Sequence, residues 1–123
     1  MEPKPHSPTT LQAGEAAEAQ ACCYLEQQGL VLIERNYRCR VGEVDLIMRD
    51  GDCVVFVEVR SRHHSRYGTP AETITRTKQR RLCRAASHFL LTHHCNAPCR
   101  FDVIAILQQK QQLDWIRGAF QAD

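Results

Sequence analysis

The stretch from Gly42 to Arg62, GEVDLIMRDGDCVVFVEVRSR, decides how this sequence folds. Two apolar runs flank Asp50-Gly51, and an Asp-Gly pair between such runs is a strong short-range signal for a β-hairpin. Three acids, Glu43, Asp45 and Glu58, lie inside these runs. Acidic side chains are rarely buried in strands unless they are paired, so their position needs a physical explanation.

A two-residue turn at this Asp-Gly pair predicts that Glu43 lies opposite Glu58. The same register places Asp45 opposite Phe56. Because side chains alternate along a strand, one face carries Glu43, Asp45, Phe56, Glu58 and Arg60. Opposed Cβ atoms are about 5 Å apart and diagonal ones about 7–8 Å, so the three carboxylates would lie close together. Carboxylates at these distances repel one another, and a cation between them would relieve the repulsion. Hard oxygen ligands suit Mg²⁺. In the alternative, Glu43 and Glu58 face solvent and pair with arginines.

Length and composition predict a single globular domain. The chain has 123 residues, 43% of them hydrophobic, and its seven cysteines show no repeated spacing that would indicate a disulfide framework. Residues 1–10 hold three of the five prolines and are expected to be a disordered lead to one domain at 11–123. No apolar run approaches the about 20 residues of a membrane helix, and the first ten residues lack the apolar stretch of a signal peptide. We therefore expect a cytoplasmic protein without a membrane partner.

Periodicity predicts the order αβββαβ(β), an α/β fold with a central mixed sheet flanked by helices. The predicted helices cover 11–28 and about 73–93. Strand-like runs lie at 30–37, 43–49, 52–60 and 99–107. LDWIRGAF, near the end, predicts a short last strand or a turn.

Positive charge is concentrated after the hairpin. The formal net charge is only +2, but residues 60–84 contain eight Arg or Lys and a single acid, Glu72. A local cationic surface of this kind attracts a polyanion such as DNA. The expected nucleic-acid contacts are Arg62, Lys78, Arg80 and Arg81, with His63 and His64 as further phosphate contacts.

GEVDLI, the hairpin and VFVEVRSR resemble the PD-(D/E)XK nuclease core, in which an acid on one strand and an acid-x-Lys on the next hold a metal ion. More closely, the chain resembles the YraN-like family of predicted endonucleases. The matching segments cover nearly the whole chain and include GEAAEAQA, RNY, YGTP, TKQRRL, RFDVI and WIRGAF. The resemblance implies a restriction-endonuclease-like fold, also found in Holliday-junction resolvases. It further implies an endonuclease that uses Mg²⁺ or Mn²⁺ on DNA, branched or otherwise structured, and a possible homodimer.

The same resemblance assigns roles to individual residues. Asp45 and Glu58 match the metal ligands, with the Val59 carbonyl as a further ligand. Glu18 matches the acid of the first helix that reaches the metal site in such folds; the alternative is a solvated helix residue. Glu43 belongs to the matching motif and would bind a second metal ion or a water on the metal.

One position departs from the motif, because Arg60 stands where a lysine is expected. A guanidinium offsets phosphate charge and orients water, but it stays protonated and cannot act as a base. Catalysis would then depend on the metal ion and on electrostatic stabilisation of the transition state. Lys78 could replace the missing amine, although a phosphate contact is its alternative role. The alternative functions are a nucleic-acid-binding module without turnover and a protein-interaction domain.

Three further patterns are interpreted as structural. HHCNAPC, at 93–99, has the residue types of a zinc site but no second close pair, so zinc is not expected. Arg100 and Asp102 lie on one face of the predicted fourth strand and are expected to form a structural pair. Trp115 and Phe120 are expected in the core or at a partner contact.

Overall fold

The computed structural model describes residues 10–62 and 74–122. The two α-helices in this part of the chain are α1 (Thr10–Gln27) and α2 (Arg76–Thr92). The five strands are β1 (Val31–Cys39), β2 (Gly42–Asp50), β3 (Cys53–Arg62), β4 (Cys99–Leu107) and β5 (Gln112–Phe120), with a 3₁₀ turn at Gln108–Lys110 before β5. Residues 1–9 of the predicted lead and the histidines at 63 and 64 lie outside the described residues.

The strands form one mixed sheet in the order β1-β2-β3-β4-β5. β3 and β4 are parallel and α2 connects them, whereas the other neighbouring strands are antiparallel. The predicted α/β fold is confirmed, and the arrangement is consistent with a restriction-endonuclease-like core. The last segment is a nine-residue strand that pairs with β4, so it is longer than the predicted short strand or turn.

The sheet carries one helix on each face. Residues of α1, including Ala21 and Leu25, pack with Met48 and Val55 in one core cluster. Residues of α2 pack in a second cluster on the opposite face, which includes Ile47, Phe56, Leu82, Phe89 and Val103. β3 is therefore covered on both sides, and this explains why its sequence is an almost continuous apolar run.

The hairpin turn lies one residue later than predicted. Asp50 pairs with Cys53, so the two central residues are Gly51 and Asp52, and Gly51 takes the positive φ of 59° that such a turn needs at its first central position. Ile47, not Asp45, lies opposite Phe56, so the predicted register is wrong. The error shifts the pairing by two residues, and such a shift by itself moves no side chain to the other face, because side chains alternate with a period of two.

Asp102 is the polar centre of the β4–β5 pair. It is fully buried, and its Oδ1 accepts a hydrogen bond from Arg100 Nε at 3.1 Å, which confirms the predicted structural pair. Trp115 Nε1 and the Gly118 N–H also donate to this carboxylate, each at 3.0 Å. These donors compensate the buried charge and hold β5 against β4.

The seven cysteines are free thiols, as the absence of a repeated spacing predicts. Within residues 10–62 and 74–122, no helix is long and apolar enough to cross a membrane.

Candidate metal centre and nucleic-acid cleft

Asp45 lies where β2 separates from β3. The pairing of these strands ends at Leu46 and Val57, and the next position of the same register sets Asp45 beside Glu58. There the Asp45 carboxylate, rather than a backbone carbonyl, accepts the Val59 N–H at 2.8 Å. The sheet irregularity thus brings both acids to the same point between two central strands.

The side chains of β2 also stop alternating regularly around Asp45. Val44 belongs to the core cluster on the α2 side, whereas Leu46, two residues later, belongs to the cluster on the α1 side. Residues two apart on a regular strand would share a face. The alternation of side chains along β2 is therefore interrupted at Asp45.

Asp45 is in an environment that disfavours its charge. Burial, followed by the negative charge of Glu58, raises the pKa of Asp45 to about 7, and Glu18 adds to the increase. The Val59 N–H and the positive charge of Lys78 lower this pKa but do not offset the increase. A carboxyl group with this balance is easily protonated near neutral pH, and a bound cation would stabilise its ionised form.

Glu58 is also buried, but positive side chains compensate its charge. Lys78 Nζ lies 2.9 Å from Glu58 Oε1, and Arg60 Nε lies 3.9 Å from the same oxygen. Lys78 is held in the first turn of α2, where its backbone N–H donates to the Thr75 hydroxyl at 3.2 Å. The amine nearest to Glu58 therefore comes from α2, whereas the sequence motif places the lysine on β3.

Glu18 reaches this region from α1. Its Oε2 is buried and has no hydrogen-bond partner. Burial raises the pKa of Glu18, while a hydrogen bond from Asn36 and the charge of Arg35 lower it. A buried carboxylate oxygen without a donor is costly, and it is an available ligand for a cation.

Glu43 is separated from these acids. It is exposed, and its carboxylate lies 3.5 Å from Arg38 Nε, the residue opposite it on β1. The predicted pairing with Glu58 is therefore wrong, because the register of the hairpin differs. Glu43 contributes to the rim of the site and not to its buried centre.

The donor set suits a cation that needs few protein ligands. Among the residues that the structure describes, no three or more His, Cys, Asp or Glu form a group that could hold a metal ion, and this includes the segment 93–99. Asp45 and Glu58 provide two carboxylates. Mg²⁺ typically takes one or two carboxylates and keeps several waters, whereas structural zinc requires four protein ligands. The Asp45–Glu58 pair thus fits Mg²⁺ or Mn²⁺.

Above Glu58 opens a cleft of about 700 Å³. The turn between β1 and β2 forms one wall, and the first turns of α2 form the other. Four cationic side chains line it, namely Arg38, Arg40, Lys78 and Arg81, together with the acids Glu43 and Glu58. Cations around an acidic floor are the arrangement expected where a phosphate backbone approaches a metal centre.

Gly42 fixes the width of this cleft. A Cβ atom at this position would lie 2.5 Å from the Arg81 carbonyl oxygen, closer than real contacts allow. Only glycine therefore lets the turn between β1 and β2 pack directly against α2. The sequence interpretation missed Arg38 and Arg40, because nothing in RCRVG shows that this loop folds over α2.

The predicted nucleic-acid contacts do not form one surface. Lys78 and Arg81 line the cleft. Arg80 instead borders a separate recess of about 160 Å³, on another side of α2, together with Arg76 and Arg84. Arg62 ends β3 and is not among the residues that line either cavity.

A family described as "Uncharacterised protein family UPF0102" matches residues 17–106. The chain belongs to this family. A UPF0102 protein of Nitrosomonas europaea is 52% identical over 108 residues, which are 87% of this chain and 92% of the relative. Another, of Cupriavidus metallidurans, is 53% identical over 121 residues, 98% of this chain and 88% of the relative. A third, of Alkalilimnicola ehrlichii, is 50% identical over 122 residues, 98% of this chain and 92% of the relative.

The UPF0102 match confirms the resemblance to YraN-like proteins at the level of the family. It extends from Ala17 in α1 to Ile106 in β4, so it contains Glu18, Asp45, Glu58 and Lys78. β5 lies outside it. The candidate site is thus built entirely from the part of the chain that matches UPF0102.

Proposed function

We propose that this UPF0102 chain is a metal-dependent endonuclease, a phosphodiesterase that acts on branched or otherwise structured DNA with Mg²⁺ or Mn²⁺ as cofactor. One observation carries the proposal: the half-buried Asp45 lies beside the buried Glu58, Glu58 lines a cation-lined cleft, and the pKa of Asp45 is raised to about 7. The PD-(D/E)XK superfamily, in which nucleases use such a pair, is the expected wider relationship. A homodimer would allow two strands to be cut.

Asp45 and Glu58 would hold the divalent cation, which offsets their repulsion and polarises a phosphodiester. Glu18 is the third carboxylate within electrostatic reach of Asp45, and its free Oε2 would accept a hydrogen bond from a water or hold a proton. Glu43, at the rim, would position water near the cleft mouth. The protein thus supplies fixed charges that act without rearrangement during the reaction.

Lys78 is the residue best placed to take the part of the motif's lysine. Its ammonium lies closer to Glu58 than the Arg60 guanidinium does, 2.9 Å against 3.9 Å. An ammonium has three donors, so Lys78 can contact Glu58 and still donate to a phosphate oxygen. Arg60 remains protonated and offsets negative charge. Arg38, Arg40 and Arg81 would bind the neighbouring phosphates.

Cleavage of linear, flapped and four-way-junction DNA with Mg²⁺ or Mn²⁺ tests this function. We expect metal-dependent cleavage by the parent, and a loss of at least about 100-fold in Asp45→Asn and in Glu58→Gln, since each removes a ligand charge. Asp52→Asn is the matched control, because Asp52 is an exposed acid in the turn of the same hairpin. Cleavage that persists in both Asp45→Asn and Glu58→Gln would refute the site assignment.

A nucleic-acid-binding module without turnover is the second candidate. Arg60 favours it, because this residue replaces the expected lysine and cannot act as a base. Binding of the same DNAs without cleavage in either metal would support the module. In that case Arg60→Lys is the informative variant, since cleavage gained by this change alone would show that the arginine prevents turnover.

A further inference from the structure

α2 carries charge of one sign only. Its 17 residues, RTKQRRLCRAASHFLLT, contain five Arg or Lys and no Asp or Glu. A solvated helix face usually mixes both signs, because opposite charges three or four residues apart stabilise it and like charges destabilise it. Two of the cations, Arg76 and Lys78, also lie in the first turn of the helix, where the helix dipole makes positive charge unfavourable.

These cations occupy two flanks of α2. Lys78 and Arg81 point to the cleft, whereas Arg76, Arg80 and Arg84 follow one another at intervals of four residues and border the smaller recess. We call these three residues the arginine stripe. All three are exposed, and none forms an ion pair with another residue of the described ranges. The stripe is therefore unfavourable in the isolated protein and would be stabilised by an anionic partner.

The dimensions of the stripe match a nucleic-acid strand. From Arg76 to Arg84 the helix rises by eight residue steps, or about 12 Å at 1.5 Å per residue. Successive base pairs of a duplex rise about 3.4 Å, so the stripe extends along three or four nucleotides of one strand. The recess adds Gln121, whose amide group is a hydrogen-bond donor, and Gln79, whose Nε2 already donates one hydrogen bond to the Ile74 carbonyl at 3.0 Å.

The two flanks together suit a double strand. A helix with its side chains is about 10–12 Å wide, close to the about 12 Å of the major groove of DNA. Cations on both sides of such a helix can therefore contact phosphates of two different strands. A single strand would occupy the cleft and leave the stripe uncompensated.

We propose that Arg76, Arg80 and Arg84 form a second phosphate-binding surface, which contacts one strand of a DNA duplex while the other strand enters the cleft at Lys78 and Arg81. The inference rests on the proposed function for the identity of the ligand as DNA. It makes double-stranded DNA, including the duplex arms of branched DNA, the substrate class of the site.

The test compares duplex and single-stranded binding by fluorescence anisotropy of a labelled 20-base-pair duplex and a labelled 20-nucleotide strand. The protein is full-length and the buffer contains EDTA, so that no cleavage occurs. The variant Arg80→Gln/Arg84→Gln removes two charges of the stripe. The control Arg49→Gln/Lys110→Gln removes two exposed charges outside α2. Each pair lowers the formal net charge from +2 to 0 (+2 − 2).

For the stripe variant, we expect the slope of log K against log salt for the duplex to become about 1.8 shallower, because each phosphate that an arginine neutralises contributes about 0.9 to the slope. Binding of the single strand should change much less, and the control pair should leave the duplex slope close to that of the parent. An unchanged duplex slope, an equal loss for the single strand, or an equal loss in the control pair would each overturn the proposal.

The two proposals fail in different ways. A chain that binds duplex through the stripe but never cuts DNA would refute the phosphodiesterase and support the stripe. A chain that cuts DNA and keeps its duplex affinity after Arg80→Gln/Arg84→Gln would refute the stripe and support the phosphodiesterase.

Discussion

Replacing Asp45 with asparagine should stabilise the metal-free protein at alkaline pH. Asp45 is a charged group that the fold holds beside Glu58, away from most of the solvent. Asparagine has nearly the same shape and can still accept the Val59 N–H, which now donates at 2.8 Å. The substitution therefore removes the repulsion and the desolvation of the charge while it keeps the hydrogen bond.

The magnitude follows from the pKa of Asp45, which rises from 3.8 to about 7 on folding. At about 1.4 kcal/mol per pKa unit, the ionised carboxylate costs the folded state up to about 4 kcal/mol. Because the folded protein binds this proton more tightly than the unfolded chain, the cost is absent below about pH 4, increases as the pH rises to about 7, and is complete above it. Asp45 keeps some exposure, so water screens part of this cost, and about 4 kcal/mol is its upper limit.

Urea denaturation in EDTA measures the effect, with parent and Asp45→Asn compared at about pH 5 and about pH 8. The advantage of the variant in the free energy of unfolding should grow by about 2–3 kcal/mol between the two conditions, since groups away from Asp45 titrate equally in both proteins. Asp52→Asn, which removes an exposed acid of the same hairpin, is the control. A difference between parent and Asp45→Asn that does not change with pH would refute the argument, as would an equal change in the control.

Two substitutions test the parts of the fold that hold the site. Gly42→Ala should destabilise the protein by about 1–3 kcal/mol in urea denaturation, because the added Cβ would lie 2.5 Å from the Arg81 carbonyl oxygen. Gly14→Ala is the control, because a Cβ at this position has no atom within 4 Å. An equal effect of the two substitutions would contradict the close contact. Asp102→Ala should lower the free energy of unfolding by about 3 kcal/mol or more, because it leaves donors such as Trp115 Nε1 without an acceptor. Unfolding can be monitored by the fluorescence of Trp115. A loss below about 1 kcal/mol would show that Asp102 is not the centre of the β4–β5 pair.

The fold could be predicted from the sequence because its elements carry simple periodic patterns. The helices, the strands and the hairpin follow from periods of 3.6 and 2 and from the glycine in the turn. The register of the hairpin could not be predicted, because turns centred at Asp50-Gly51 and at Gly51-Asp52 both place glycine at a permitted position. The two registers differ by two residues and bury the same side chains, so the hydrophobic pattern does not distinguish them.

The candidate site could be predicted only in part, for a related reason. Asp45 and Glu58 belong to the hairpin, so local pattern was enough to place them on one face. Arg38, at the end of β1, and Arg40, in the turn after it, reach the site because this turn packs against α2, which is a contact between segments far apart in the sequence. Arg80 and Arg81 are neighbours in sequence, but a helix turns about 100° per residue, and this rotation assigns them to different sides of α2.

The contrast between two aspartates of the sheet, the buried Asp102 and the half-buried Asp45, supports a functional role for one of them. Asp102 accepts hydrogen bonds from Arg100, Trp115 and the Gly118 N–H, so its charge is compensated by the protein itself. Asp45 accepts the Val59 N–H and lies beside a second acid, whose own charge is compensated mainly by Lys78. A residue that only stabilised the sheet would be expected to resemble Asp102. The uncompensated charge of Asp45 lowers the stability of the protein alone and would be favourable once a divalent cation is bound, as expected for a ligand.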